Sequence, residues 1–491
     1  MFSQARTPLL DSLKALSQAT DGAFYAPGHK KGQGIYPPLA DLLGKSVFLA
    51  DLPELPELDN LFAPEGVILE AQELAAAAFG AEKTWFLVNG STCGIIAAIL
   101  ATCGPGEKII LPRNSHQSAY AGLIFSGAVP IFLNPEYNFE FDIPYSITPA
   151  AVETALQQHP DSKAVMMIYP TYQGVCGDVK AIAQITHQYQ IPLLVDEAHG
   201  AHFTFHPALP PSALSAGADL TVQSTHKVLG AMTQASMLHL QGNRIERQKI
   251  TQALQLLQST SPSYLLLASL DAARQQMALQ GKELLHQTLQ LADSAINSIS
   301  QIPGLSVLLP DLMLLDQTRL TVNVSQWGLS GFAVDEILHT QLGVTAELPM
   351  LKTLTFIITF GNNKRDIAKL VSALRSLEGS VGANGEVKIT TLMAKPAHLL
   401  PHPCMSPREA FLAAKKTLPR ENAVGCISGE IVCPYPPGIP VLFPGEIISV
   451  EAIDYLQEVL TLGGRITGCQ DPTLYTLQVI SCKNEEKSFI T

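Results

Sequence analysis

From residue 66 onward, apolar positions fall into a repeating alternation. VILEAQELAAAAFG has apolar residues at helical spacing and predicts a helix ending at Gly80. TWFLV predicts a strand, CGIIAAILATCG a helix, EKIILP a strand, SHQSAYAGLIFSG a helix and VPIFL a strand. SKAVMMIYP, AIAQITHQY and IPLLVD continue the series. Apolar strands separated by helices imply an α/β protein whose mostly parallel sheet is covered on both faces. Ligands of such sheets sit beyond the carboxyl ends of the strands. The loops NGST, PRNSHQS, YPTYQG and DEAHG all follow strands and are the places to look for chemistry.

The pattern changes on either side of this block. The first sixty residues, with YAPGHKKGQGIYPP and DLPELPELDNLFAPEG, are rich in Pro and Gly and read as an arm too irregular for a core element. Residues 240–300 read as long helices interrupted by STSPSY. TRLTVNVSQW and TLTFIITFG alternate as strands, with helices between and after. EGSVGANGEVK reads as a Gly-rich linker, and a Pro- and Gly-rich tail follows. The expected organisation is an arm over 1–65, a large domain over 66–304, a small α+β domain over 305–378 and a C-terminal domain over 385–491.

Composition narrows the function. The chain has 491 residues, 47% hydrophobic and 15% charged, enough apolar material for two or three domains. A formal net charge of −12 argues against nucleic acid as a partner, because phosphate contacts need a basic face. No apolar run approaches the roughly 20 residues of a membrane span, and the opening MFSQARTPLLDSLKALSQ lacks the pattern of a signal peptide. Eight scattered cysteines form no C-x-x-C pair, so a cytoplasmic protein with reduced thiols is expected.

LLVDEAHGAHFTFHP places Asp196, Glu197, His199, His202 and His206 within eleven positions. Such a cluster suits either zinc or an organic cofactor. Lys227, in QSTHKVLGA, follows the apolar strand DLTVQ and is flanked by hydroxyls, His and small residues. A lysine in a crowded pocket at a strand end suits Schiff-base chemistry, since desolvation favours its free amine. Asp196, 31 residues earlier, ends the strand IPLLV and needs a cationic partner there. A helix cap or ion pair meets that need, and so does the protonated nitrogen of a pyridine ring. NGST opens a helix, so Ser91, Thr92 and free backbone N–H groups form an anion site that Ser224 and His226 can complete. His116, in PRNSHQS, offers a flat ring for stacking. Together these features point to an aromatic aldehyde phosphate rather than a metal.

These residues resemble the Orn/Lys/Arg decarboxylases, which use pyridoxal 5'-phosphate on an aspartate-aminotransferase-like fold. PGHKKG, LPELDNLFAPEG, FLVNGST, PRNSHQS, PTYQG, VDEAHGAH, STHK, STSPSYLLLASLD and YPPGIPVLFPGE occur in the family's order along nearly the whole chain. The length is similar to the short biosynthetic arginine decarboxylases of polyamine synthesis. The resemblance implies that Lys227 carries the cofactor and Asp196 pairs with its ring nitrogen. It implies that His116 stacks on the ring, that His199 lies near the ring's 3-oxygen, and that Ser91, Thr92, Ser224 and His226 hold the phosphate. It further implies a homodimer or higher even oligomer with shared active sites, Thr260 reaching the partner's cofactor and His29 and Lys30 crossing the interface. No metal is expected.

The expected reaction is loss of CO₂ from a basic amino acid, arginine first, with lysine and ornithine as alternatives. A cationic side chain needs an acidic counterpart, for which Glu347, Glu430 and Asp59 are candidates. An aminotransferase with the same cofactor site, a metal hydrolase built on the His cluster and a catalytically silent regulator are the competing readings.

Overall fold

In the computed structural model, residues 3–310, 314–378 and 404–481 are described. The linker EGSVGANGEVK and the start of the tail, up to residue 403, lie outside the described residues, apart from Glu378. The chain is α/β with a mostly parallel central sheet, and it divides into two compact units. One comprises Met1–Ala101, Val179–Thr288 and Thr359–Gly361; the other comprises Thr102–Asp178, Leu289–Ile358 and Asn362–Thr491. Among the described residues no helix is long and apolar enough to cross a membrane.

The apolar runs become strands β1 (Lys83–Leu87), β2 (Lys108–Pro112), β3 (Val129–Leu133), β4 (Ala164–Ile168), β5 (Leu193–Asp196), β6 (Leu220–Gln223) and β7 (Ser236–Leu240). In the first unit the order is β1-β7-β6-β5, and only β7 runs against the others. In the second unit β2 lies between β4 and β3, all parallel. Buried strands of this kind carry near-continuous Val, Ile and Leu because both faces are covered. The helices that matter for the site are α1 (Pro8–Ser17), α2 (Val67–Phe79), α3 (Gly90–Thr102), α4 (Gln117–Ser126), α5 (Thr225–Val228) and α6 (Tyr264–Ile299). Gly80 ends α2 in the left-handed conformation, as its sequence predicts.

The first sixty residues differ from their expected role. They contain helix α1, and Leu9, Leu13, Leu52, Leu58 and Leu61 enter a core with Ile68, Phe86 and Met237. The reason is local: Pro8 starts α1 and its leucines recur on one face, so the Pro- and Gly-rich stretches are connections between short core elements. Arg274 of α6, fully buried, fastens this segment by donating to the backbone oxygens of Gln4 at 2.8 Å and Arg6 at 2.7 Å. Asp271 accepts from the N–H of Leu9 at 3.1 Å and pairs with Arg274.

The second unit also contains a four-stranded antiparallel sheet built on Arg319–Asn323 and Thr353–Ile357, the strands foreseen in TRLTVN and TLTFI. Toward its C-terminal end, Lys415–Pro419 pairs with Thr476–Ile480 and Cys433–Tyr435 with Arg465–Thr467. A buried ion pair fixes the loop after β2 to the YPPGIPVLFPGE segment. Arg113 donates to the backbone oxygens of Pro440 at 2.8 Å and Val441 at 3.0 Å, and to both oxygens of Glu446 at 3.1 and 2.9 Å. Its guanidinium lies 5.0 Å from the ring centre of Phe443.

A second buried polar arrangement crosses the first unit's sheet. Thr84 Oγ1 lies 2.8 Å from His239 Nδ1, and His239 Nε2 lies 3.1 Å from Gln223 Oε1. The amide of Gln223 donates to Glu197 at 2.9 Å, and Glu197 also accepts from the N–H of Ala213 at 2.7 Å. The Gln223 oxygen is an acceptor, so His239 donates from Nε2 and accepts the Thr84 hydroxyl at Nδ1. Burial holds the His239 imidazole down at about 3 and pushes the Glu197 carboxyl up to about 8.

Two outcomes follow for stability. Glu446→Ala leaves the Arg113 charge buried and unpaired, and lowers the unfolding free energy by about 3–5 kcal/mol in denaturant titrations. Glu446→Gln, which keeps an acceptor, costs less. For His239 the folded value lies below the unfolded one near 6.5, so the unfolded chain binds the extra proton and stability falls as pH falls below that value. Relative to His239→Asn, the native chain loses about 1.4 kcal/mol more per pH unit between pH 6 and 4.5, measured by urea titrations at stepped pH.

Candidate active site

Strands β5 and β6 pair in parallel register, Asp196 opposite Val222, so the residues that follow each strand emerge side by side. Asp196 is the last residue of β5 and is only 8% exposed. Its Oδ1 accepts from the N–H of Ala198 at 3.2 Å, its single hydrogen bond among the described residues. Burial pushes its carboxyl above the ordinary value, and the nearby Lys227 charge pulls it back. Lys227 lies in α5, directly after β6, and its Nζ is 3.0 Å from Nε2 of His199. The sequence therefore places Lys227, His199 and Asp196 in one neighbourhood although 31 residues separate the first from the last.

The opposite wall is the turn into α3. Gly90 adopts a φ of +73°, and Ser91 and Thr92 occupy the helix's first turn. The turn is braced by Gln258, whose Oε1 accepts from the N–H of Val88 at 2.8 Å. Ser224 donates to Ser91 Oγ at 2.7 Å, joining the two serines expected to share an anion. Thr92 is exposed, and the neighbouring Thr225 hydroxyl is buried with no partner. Helix α3 can lie this close to the sheet because residue 94 is Gly. A Cβ there would stand 2.7 Å from Val222 Cγ1 and 2.8 Å from Leu87 Cδ1. His226 is 2.9 Å through Nδ1 from the Ala235 oxygen and therefore donates there. Burial keeps its imidazole below the ordinary value.

These donors fit a pyridoxal phosphate. An amine beside a histidine suits covalent attachment. A buried carboxylate with one oxygen uncommitted suits a ring N–H. Two bonded serines at a helix N-terminus, with an unpartnered buried threonine hydroxyl nearby, suit a phosphate.

The other expected residues are placed as follows. His116, in the second unit, caps α4: its Nδ1 accepts from the N–H of Ser118 at 3.2 Å. Gly438 lies against its ring, where a Cβ would come within 3.4 Å of Nε2. Thr260 is exposed just before α6. His29 pairs with Asp51 at 3.1 Å, and Lys30 bonds the backbone oxygen of Tyr25. Glu347 is exposed, with its charge near the buried Arg319. Glu430 accepts from the N–H groups of Gln470 and Gln478, both at 2.9 Å. Asp59 accepts from the N–H groups of Gly66 and Ile68 at the start of α2, at 2.7 and 3.1 Å. His206 stacks on His286 at 5.9 Å, and His202 is buried beside Phe203. Sequence reasoning missed the row from Thr84 to Glu197 behind Asp196; its signal was polar residues at fully buried positions of apolar strands.

Comparison with known proteins supplies the context. Residues 7–319 match the family model described as Orn/Lys/Arg decarboxylase, major domain, and residues 389–471 match the model of its C-terminal domain. The chain is 40% identical over 485 residues to arginine decarboxylase of Bacillus subtilis (strain 168), covering 98% of this chain and 99% of that protein. Lysine decarboxylase A from Pseudomonas aeruginosa superposes with a TM-score of 0.82 at 23% identity, over 96% of this chain and 80% of that one. The ureidoglycine-glyoxylate aminotransferase of Bacillus subtilis superposes with a TM-score of 0.53 at 14% identity, over 65% and 86%. These two share the fold. The model matches and the full-length identity together show that the chain belongs to the Orn/Lys/Arg decarboxylase family.

Proposed function

We propose that the chain converts L-arginine to agmatine and CO₂ with pyridoxal 5'-phosphate as cofactor. The observation that carries the reaction is the grouping of Lys227, His199 and a buried Asp196 at the ends of β5 and β6. The choice of arginine rests on the nearly full-length similarity to an arginine decarboxylase. Lysine is the second reading, favoured by the fold shared with a lysine decarboxylase.

The bound cofactor supplies an electron sink for the carbanion that loss of CO₂ leaves. The chain's residues do the rest. Asp196, kept from water, would hold a proton on the ring nitrogen, because a buried carboxylate is stabilised by a cation. Lys227 would carry the cofactor and, once its amine is free, hold a proton within reach of the reacting carbon. His199, hydrogen-bonded to Nζ, would fix that amine's orientation. Ser91, Ser224 and the start of α3 would anchor the phosphate, with Thr92 and His226 as further ligands; a phosphate beside His226 would raise its imidazole again. His116 would stack on the ring. Glu347 and Glu430 remain proposals as partners of the substrate's cationic end.

A homodimer fits the arm. Phe24 is 97%, Tyr36 73% and Leu42 77% exposed, an apolar surface that a second copy would cover. Thr260, exposed at the entrance to α6, would then be free to reach the partner's cofactor.

Parallel assays with arginine, lysine and ornithine, with the amine identified, are expected to show arginine as the preferred substrate and no need for a keto-acid acceptor. Lys227→Ala is expected to reduce CO₂ release to background, and Asp196→Asn to lower kcat by about 10²–10³-fold, the range for loss of a preorganised charge. Sustained turnover by Lys227→Ala overturns the mechanism. Changing Phe24 and Leu42 together to Asp is expected to shift the mass in sedimentation toward the monomer.

A further inference from the structure

The second unit contains a cleft of about 560 Å³, its open mouth included, whose polar residues have no part in the site above. Its walls come from the loop after β2, the hairpin formed by Tyr137–Asn138 and Ile143–Pro144, and the YPPGIPV segment. Most of the wall is apolar, contributed by prolines, Ile439, Val441 and Met350. The polar groups are Asp142, Asn114, two tyrosines and the Arg113 guanidinium, whose Nε has no hydrogen-bond partner. Asp142 sits in the hairpin, where one oxygen accepts from the Tyr137 hydroxyl and the other takes no hydrogen bond among the described residues. Asn114 is 4% exposed, and its side-chain oxygen has no partner. Tyr455 closes the cleft; burial pushes up its hydroxyl and the Glu458 carboxyl, and the Asp142 charge adds to both.

Burial pushes the Asp142 carboxyl up, and the Tyr137 hydrogen bond and the nearby Lys352 charge pull it back. The terminal nitrogens of Arg113 are taken by Glu446, Tyr120 and two backbone oxygens. Lys352 donates to the Phe139 oxygen at 3.0 Å at the exposed edge of the hairpin. An apolar cleft with a half-committed carboxylate, an orphan amide oxygen and two tyrosine rings suits a ligand that is alkyl along its length and cationic at its end.

We propose that this cleft binds the cationic end of an alkylamine or alkylguanidine, with Asp142 as counter-charge and the Asn114 oxygen as hydrogen-bond acceptor. The ligand is a free amine or guanidine acting as an effector, and its binding does not depend on the decarboxylase reading.

Calorimetric titration of the purified holoenzyme with 1,4-diaminobutane and with agmatine tests the proposal. Asp142→Asn removes the charge. Met350→Lys installs a competing ammonium in the wall and leaves Asp142 intact, so one variant can report if the other unfolds. Each variant is expected to weaken amine binding by at least about tenfold, the loss of roughly one charge-assisted contact, with kcat retained. Amine affinity unchanged in the two variants overturns the proposal. If the native enzyme decarboxylates none of the three basic amino acids, the proposed function fails, while the titration still decides whether the cleft takes a cation.

Discussion

The arrangement around Lys227 depends on keeping a carboxylate charged where water hardly reaches. Asp196 is buried at the end of β5, and burial favours its neutral form. The Lys227 ammonium opposes that, and a protonated ring nitrogen would oppose it more strongly. The parallel pairing of β5 and β6 fixes how near Asp196 and Lys227 stand, and Gln258 fixes the turn before α3. Each of these is a backbone constraint, so the site is preorganised by the sheet rather than by flexible side chains.

Behind Asp196 the fold makes a different choice. Glu197, the next residue, points into the row that runs through Gln223 and His239 to Thr84. That row is satisfied without a counter-ion, because its carboxyl is pushed toward the neutral form and its imidazole is held neutral. Two adjacent acids thus have opposite fates: one is matched by a cation, the other by hydrogen bonds.

Much of this was legible in the sequence. The period of the apolar positions gave the strands and helices of the sheet, and loops at strand ends gave Ser91, Asp196 and Lys227. The fold brings Lys227 beside His199 and Ser91 beside Ser224. What stayed hidden depends on long-range pairing. Nothing local to Arg113 announces Glu446, which lies 333 residues away. The core role of Leu9 and Leu58 was masked by the prolines and glycines between them. Asp59 and Glu430 accept from backbone N–H groups that no spacing rule identifies. The surroundings of Asp142 come from distant segments that no local pattern announces.

The absence of a side chain at residue 94 has a mechanical meaning. Helix α3 rests directly on Leu87 and Val222, so the gap between helix and sheet is set by bare backbone. The helix acts as a beam whose tip carries Ser91. A methyl group inserted beneath it, one turn from that tip, would tilt the beam and swing the tip away from Ser224. The spacing of the two serines is therefore set from the underside of a helix, by an atom that touches neither of them.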